Sequence, residues 1–389
     1  MSRDYIMNTY GRFDVSFEKG LGTSIYDENG KEYLDFVSGI ATNCLGHSHP
    51  VIVKAIQEQS SKLMHISNYY WNSNALKLAE KLCTNSDHEK AFFCNSGTEA
   101  IEAALKLSRK YGRMNGSSSK SKIIYMNNSF HGRTMGALSV TGQGKYQENF
   151  APLIGNVESI DFNDIDVLKN AFDEDVCGVI LEPIQGEGGI IPANIDFLKE
   201  ARSLCDKYNA LLIFDEVQCG IGRTGSLFAY QKLGVIPDVI CMAKALGGGF
   251  PIGGIITNSK CSSAFVPGDH GTTYGGNPLA CAVSFAVLTE LIDGGVISSV
   301  DEKSNYIYEK LNELKKKYSV IDDIRGIGLL IGVAVNTDPK NIVNECFKEG
   351  LLVVSAGKNV IRLLPPLNVT LKEIDSALCI FEKVLSKFC

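Results

Sequence analysis

Lys244 follows an apolar run, Val239 to Met242, and precedes Ala245-Leu246-Gly247-Gly248-Gly249. A lysine with such neighbours is poorly solvated, which favours its neutral amine and makes it a nucleophile able to form an imine with a carbonyl compound. Asp215 and Glu216 end a second apolar run, Leu211 to Phe214, so a carboxylate stands where that run meets solvent. An Asp there can pair with a protonated ring nitrogen. A third stretch, Asn95-Ser96-Gly97-Thr98-Glu99-Ala100, follows Phe93-Cys94 and opens a helix over Ile101 to Tyr111. Ser96 and Glu99 have capping-box spacing, and Gly97-Thr98 leave free backbone N–H groups at the positive end of the helix dipole, a seat for phosphate.

Taken singly, these are a solvated lysine, a helix-capping Asp and an ordinary capped helix. Together they supply an imine partner, a pyridinium partner and a phosphate cradle, the handles that pyridoxal phosphate requires.

Such residues need elements to position them. From about Val51 amphipathic helices alternate with short apolar runs: Ala91 to Cys94, Lys122 to Met126, Gly178 to Leu181, Leu211 to Phe214 and Val239 to Met242. Runs of this kind spaced by helices predict an α/β fold with a mostly parallel, buried sheet, whose ligands bind beyond the carboxyl ends of the strands. Before them, Ser24 to Asp27 and Glu32 to Phe36 read as a hairpin in an N-terminal arm, residues 1–50. A large domain spans 51–278. A smaller α+β domain spans 279–389: helix over Leu279 to Ile292 and on through Lys316, strands near Leu329 to Val335 and Leu351 to Val354, and a final helix opened by the capping-box pair Thr370 and Glu373.

A net charge of −6 over 389 residues argues against a nucleic-acid or anionic-membrane surface as the main partner. With 44% hydrophobic and 21% charged residues the composition is that of a globular protein. Twelve cysteines are scattered, the nearest pair being Cys379 and Cys389, which fits reduced thiols better than a zinc ribbon or a disulfide framework. Met1 to Tyr10 carry Arg3 and Asp4 but no apolar stretch of signal length. The expectation is a cytoplasmic protein.

The order of motifs along the chain resembles the class III (ornithine-type) aminotransferases, enzymes of the aspartate aminotransferase fold, fold type I. The likeness lies in Asp35 to Pro50 (DFVSGIATNCLGHSHP), Phe92 to Ala104 (FFCNSGTEAIEAA), Phe130 to Leu138 (FHGRTMGAL) and Leu181 to Gly189 (LEPIQGEGG). It continues through Ile213 to Gly225 (IFDEVQCGIGRTG), Ala243 to Gly253 (AKALGGGFPIG), His270 to Pro278 (HGTTYGGNP) and Val360 to Asn368 (VIRLLPPLN).

The resemblance implies that Lys244 is the Schiff-base lysine and Asp215 the partner of the pyridine nitrogen. Val217 and Phe130 are expected on the two ring faces, Gln218 at the phenolic oxygen, and Gly97 and Thr98 at the phosphate. Glu216 is counted with the cofactor contacts, and Thr273 is expected to reach the phosphate of the neighbouring subunit of a homodimer. For substrates, the resemblance implies that Arg133 holds the α-carboxylate of an ω-amino donor while Glu187 covers Arg362. Glu187 then swings away so that Arg362 can take the α-carboxylate of glutamate or 2-oxoglutarate. Thr272 and Tyr10 are counted with the substrate contacts. Apolar Ile40, where ornithine-specific members generally have tyrosine, favours an acylated donor. The implied reaction moves the terminal amino group of N-acetylornithine to 2-oxoglutarate, a step of arginine synthesis. Ornithine, succinylornithine, succinyl-diaminopimelate and 4-aminobutyrate are the alternative donors.

Other features have simpler readings. Gly46-His47-Ser48-His49-Pro50 reads as a turn into a helix rather than a metal site. Gly20-x-Gly22, Gly142-x-Gly144 and Arg325-Gly326-x-Gly328 read as turns, lacking the strand–turn–helix context of a dinucleotide fingerprint that a nicotinamide dehydrogenase would need. A non-catalytic relative would be expected to lack Lys244 or Asp215, and both are present.

Overall fold

The structure, a computed structural model, describes residues 5–388; Arg3, Asp4 and Cys389, which entered the reading above, lie outside them. Its centre is a seven-stranded sheet formed by β1 (Lys90–Cys94), β2 (Lys122–Met126), β3 (Val157–Ile160), β4 (Val176–Leu181), β5 (Leu211–Asp215), β6 (Val239–Met242) and β7 (Gly253–Thr257), in the order β1-β7-β6-β5-β4-β2-β3. All five apolar runs are strands. Those in the middle of the sheet, such as β5, are buried at every position because helices cover both faces.

Two strands of this sheet have no counterpart in the expectations. β3 has two exposed polar residues, as suits an edge. β7 begins Gly253-Gly254 and runs antiparallel to both β6 and β1. Its glycines are required: a Cβ on Gly253 would fall 2.3 Å from the Ser96 carbonyl oxygen.

The N-terminal arm forms a three-stranded antiparallel meander, Phe17–Leu21, Ser24–Asp27 and Glu32–Asp35, rather than a lone hairpin. It is completed by Leu351–Leu352, which lies parallel to Glu32–Asp35 with Leu351 opposite Leu34. The last third builds a separate antiparallel sheet in the order Ile321–Ile327, Leu330–Val335, Val360–Leu363, Val354–Ala356.

Helix Pro278–Ile292 starts with proline, is capped by the Asn277 side chain accepting from Ala280 N, and is apolar almost all round. Such a helix must be covered on every side, and helices Pro50–Ser60 and Ser73–Thr84 pack on it. No single helix among the described residues is long and apolar enough to cross a membrane. In the Gly46-His47-Ser48-His49-Pro50 run, His47 Nε2 lies 2.8 Å from Asp35 Oδ2 and His49 precedes helix Pro50–Ser60.

The final helix, Leu371–Leu385, has the expected capping box. Thr370 Oγ1 accepts from Glu373 N, and the Glu373 carboxylate accepts from Thr370 N at 2.7 Å. Thr370→Ala is therefore expected to destabilise the protein by about 1 kcal/mol, read as a lower urea-unfolding midpoint; an unchanged midpoint would show the cap to be dispensable.

Candidate active site

The parallel strands end on one edge, and the reactive side chains collect there. Asp215 is the last residue of β5 and lies opposite Cys241 of β6, while Lys244 comes two residues after β6 ends. The strand order thus sets amine and carboxylate side by side across neighbouring strand ends. They line a cavity of about 430 Å³ together with Gly97, Thr98, Phe130 and Val217. Arg133, Glu187 and Gln218 complete its polar side.

Lys244 opens a short 3-10 turn, Lys244–Gly247, and its own φ is +44°. A non-glycine residue held in that region is strained, and such strain is found where function over-determines the backbone. Burial, followed by the charge of Arg362, lowers the pKa of its amine to about 8 against the opposing pull of Glu187, Asp215 and Glu182.

Asp215 is fixed at both oxygens: Oδ1 accepts from Val217 N at 3.0 Å and Oδ2 lies 2.7 Å from His131 Nδ1. His131 is fully enclosed. Beside them Glu182 accepts from Phe130 N and Gly186 N. Burial pushes its carboxyl up to about 7, with His131 pulling it down and Asp215 pushing it further up. Neither His131 nor Glu182 was assigned a role from sequence, although both fall inside recognised motifs.

The phosphate seat is built from helix Gly97–Asn115, longer than expected at both ends. Ser96 Oγ accepts from Glu99 N as a cap should, but the Glu99 carboxylate turns back to Asn95 N, so the box closes one residue early. Gly97 packs directly on Val217: a Cβ there would stand 2.9 Å from Val217 Cγ1. The Thr98 hydroxyl lies 2.9 Å from that of Thr134 and accepts from Arg133 N and Thr134 N, joining the helix start to the loop that carries Arg133. The Arg133 guanidinium sits 3.8 Å from the centre of the Tyr146 ring, a cation–π contact.

Arg362 is 1% exposed. Its Nη1 donates to Glu187 Oε1 at 2.6 Å and to Gln218 Oε1 at 2.9 Å, and its Nε is buried with no partner among the described residues. Burial raises the Glu187 pKa, but Arg362, by charge and hydrogen bond, outweighs it and holds the carboxyl below its ordinary value.

Four expected contacts are not brought together here. Glu216 is corrected from cofactor contact to helix cap: its carboxylate accepts from Ala229 N and Tyr230 N, and burial pushes it up to about 8. Successive residues of a strand end point to opposite faces, so the neighbour of a cavity-facing Asp215 faces away. Tyr10 is 70% exposed, close to Arg12, and does not reach the cavity of its own chain. Thr272 and Thr273 also lie outside the cavity: Thr272 Oγ1 accepts from Asn95 Nδ2, and Thr273 is exposed.

The pattern described as aminotransferase class-III matches residues 5–385. The chain belongs to the class-III aminotransferases. It is 65% identical over 384 residues to the acetylornithine aminotransferase of Clostridium acetobutylicum, covering 98% of this chain and 99% of that one. To the acetylornithine aminotransferase of Caldanaerobacter subterraneus subsp. tengcongensis it is 49% identical, covering 99% and 98%. Among solved structures it is similar to N-acetylornithine aminotransferase from Stenotrophomonas maltophilia (TM-score 0.86, 36% identity, covering 99% and 98%). It is also similar to ornithine aminotransferase from Toxoplasma gondii (TM-score 0.95, 33% identity, covering 99% and 93%). The fold is therefore fold type I, and the cofactor is pyridoxal phosphate. The donor set fits it: one amine of lowered pKa, one fixed carboxylate and one helix start share a cavity.

A base of pKa about 8 is protonated below that pH and nucleophilic above it. Attachment of pyridoxal phosphate to the cofactor-free protein is thus expected to accelerate as pH rises through 8 and to level off beyond, followed by the absorbance of the adduct. Acceleration continuing to the ordinary lysine value of 10.5 would contradict the lowered pKa.

Proposed function

We propose that this enzyme moves the terminal amino group of N-acetylornithine to 2-oxoglutarate, giving N-acetylglutamate 5-semialdehyde and glutamate, in the cytoplasm and as a homodimer. The observation that carries the proposal is the Glu187–Arg362 pair at 2.6 Å, in which Glu187 lines the cavity shared with Lys244 and stands between it and the buried Arg362. A covered arginine suits a donor that arrives with its amine foremost; an uncovered one suits an acceptor with a second carboxylate. Identity of 65% to an enzyme named for acetylornithine supports the donor.

When bound, pyridoxal phosphate supplies an aldehyde that exchanges amines and a ring that accepts the electrons released when the substrate carbon loses its proton. Lys244 Nζ would hold the cofactor, and as an amine of lowered pKa it would take up and carry the proton that leaves the substrate carbon. Asp215 keeps the ring nitrogen protonated, and His131 and Val217 N keep Asp215 aimed. Among the residues lining the cavity, Gly97 and Thr98 would hold the phosphate, Val217 and Phe130 would pack on the ring, and Gln218 would serve the phenolic oxygen.

Arg133 takes the donor α-carboxylate, its guanidinium steadied over Tyr146. Arg362, with its unspent Nε donor, takes the α-carboxylate of glutamate or 2-oxoglutarate when Glu187 leaves. A second copy of the chain brings Thr273 to the phosphate, and Thr272 stands with it at the rim, a role that the exposed position of Thr273 supports. Free cysteines throughout the described residues support a reducing compartment.

In steady-state assays with 2-oxoglutarate, kcat/KM is expected to be higher for N-acetylornithine than for ornithine or 4-aminobutyrate; the reverse order would overturn the donor assignment. Arg133→Ala is expected to raise KM for N-acetylornithine by about tenfold or more, the worth of one charge-assisted contact, and to leave KM for 2-oxoglutarate nearly unchanged. An equal rise for both substrates would remove Arg133 from donor recognition.

A further inference from the structure

The Arg325-Gly326-x-Gly328 run, which begins within the strand Ile321–Ile327 and not in a turn, plays no part in the reaction as described, yet Arg325 reaches the loop that carries Glu187. Arg325 pairs with Gly332 across one strand junction, and Gly332 pairs with Arg362 across the next. Residues directly opposed on neighbouring strands share a face of the sheet. Two arginines therefore stand in one row with a glycine between them. The glycine leaves a slot, and Ile190 fills it: a Cβ on Gly332 would lie 2.8 Å from Ile190 Cβ.

Ile190 closes the loop in an unusual way. Its φ is +54° and that of Gly189 is +112°, and a β-branched residue resists the left-handed region. Something must hold the turn, and two contacts to its backbone from the C-terminal third do so, while a third reaches the side chain. Arg325 Nε donates to the Gly189 carbonyl at 2.8 Å. Gly357 N donates to the Glu187 carbonyl at 3.0 Å. Arg362 Nη1 donates to the Glu187 carboxylate itself.

The geometry points to Arg325 as a positioning residue that sets substrate specificity: it fixes the backbone behind Glu187, so that only the Glu187 side chain moves and its carboxylate returns to Arg362 after each turnover. Arg325 does not line the cavity. The inference rests on the Glu187–Arg362 gate proposed above and adds the part that returns the gate to its closed position. One arginine of the row is the substrate's anchor and the other is the hinge-pin of its cover. The Nε hydrogen bond, with Nη2 alongside Gly189, uses the planar guanidinium; a lysine can supply charge and one donor but not that edge.

The test uses holoenzyme in single-turnover half-reactions, followed by cofactor absorbance, to give kcat/KM for N-acetylornithine and for glutamate. Arg325→Ala is expected to shift the ratio toward glutamate by roughly five- to tenfold, the equivalent of one ordinary hydrogen bond. The direction is that of Glu187→Ala and the size smaller, with Arg325→Lys in between. In a Glu187→Ala background, Arg325→Ala is expected to leave the ratio where it is, because no carboxylate remains to be positioned. A general loss of stability lowers both half-reactions alike and leaves the ratio fixed. A fixed ratio in Arg325→Ala, with a shift in Glu187→Ala, overturns the role of Arg325 alone, and so does an equal effect of Arg325→Ala with and without Glu187. A ratio that does not move in Glu187→Ala overturns the gate and this inference together.

Discussion

A guanidinium taken almost wholly out of water is costly unless a counter-charge accompanies it, and Arg362, at 1% exposure, is such a group. Its counter-charge here is Glu187, whose side chain keeps 27% of its surface exposed and is therefore free to leave. Gln218, the second acceptor, is neutral and enclosed; it gives Arg362 a hydrogen bond without cancelling its charge. The same positive charge helps to lower the pKa of the Lys244 amine, second only to burial. One buried cation thus bears on both the choice of substrate and the reactivity of the lysine.

The chemistry at Lys244 depends in turn on strand order. Because β5 and β6 are parallel neighbours, Asp215 and the residues after Met242 reach the same edge. β4, on the other side of β5, delivers Glu182 and the Glu187 loop, and the segment after β2 delivers Phe130 and His131. His131 and Glu182 surround Asp215 with one hydrogen-bonding ring and one carboxyl of raised pKa. The carboxylate is therefore held at both oxygens, by the His131 ring and by Val217 N.

The central strands and the Lys244, Asp215 and Gly97-Thr98 positions were legible because strands covered on both faces must be apolar throughout, and the residues after them necessarily stand at the sheet edge. β7 was not legible: its opening glycines answer to the Ser96 carbonyl, a neighbour distant in sequence. Glu216 misled for a local reason, since adjacency to Asp215 in sequence means the opposite face in a strand. His131 lay in a recognised motif, but nothing in a single sequence pairs it with a carboxylate eighty-four positions away. The Arg325-Gly326-x-Gly328 run was read as a turn, but Arg325 and Gly326 belong to the strand Ile321–Ile327 and the turn is left to Gly328 and Leu329; the link of Arg325 to the Glu187 loop is visible only once the register of three strands places it in a row with Arg362.

The parallel pairing of Leu34 with Leu351 has a bearing on how the molecule is made. During synthesis the meander of Phe17–Leu21, Ser24–Asp27 and Glu32–Asp35 leaves the ribosome early, with an unpaired edge along Glu32–Asp35. That edge stays open while the whole central sheet is translated, and an open edge invites pairing with other nascent chains. The closing strand is only two residues long, so the zipper that ends this exposure is short and late, and folding of the arm is tied to the arrival of the C-terminal third.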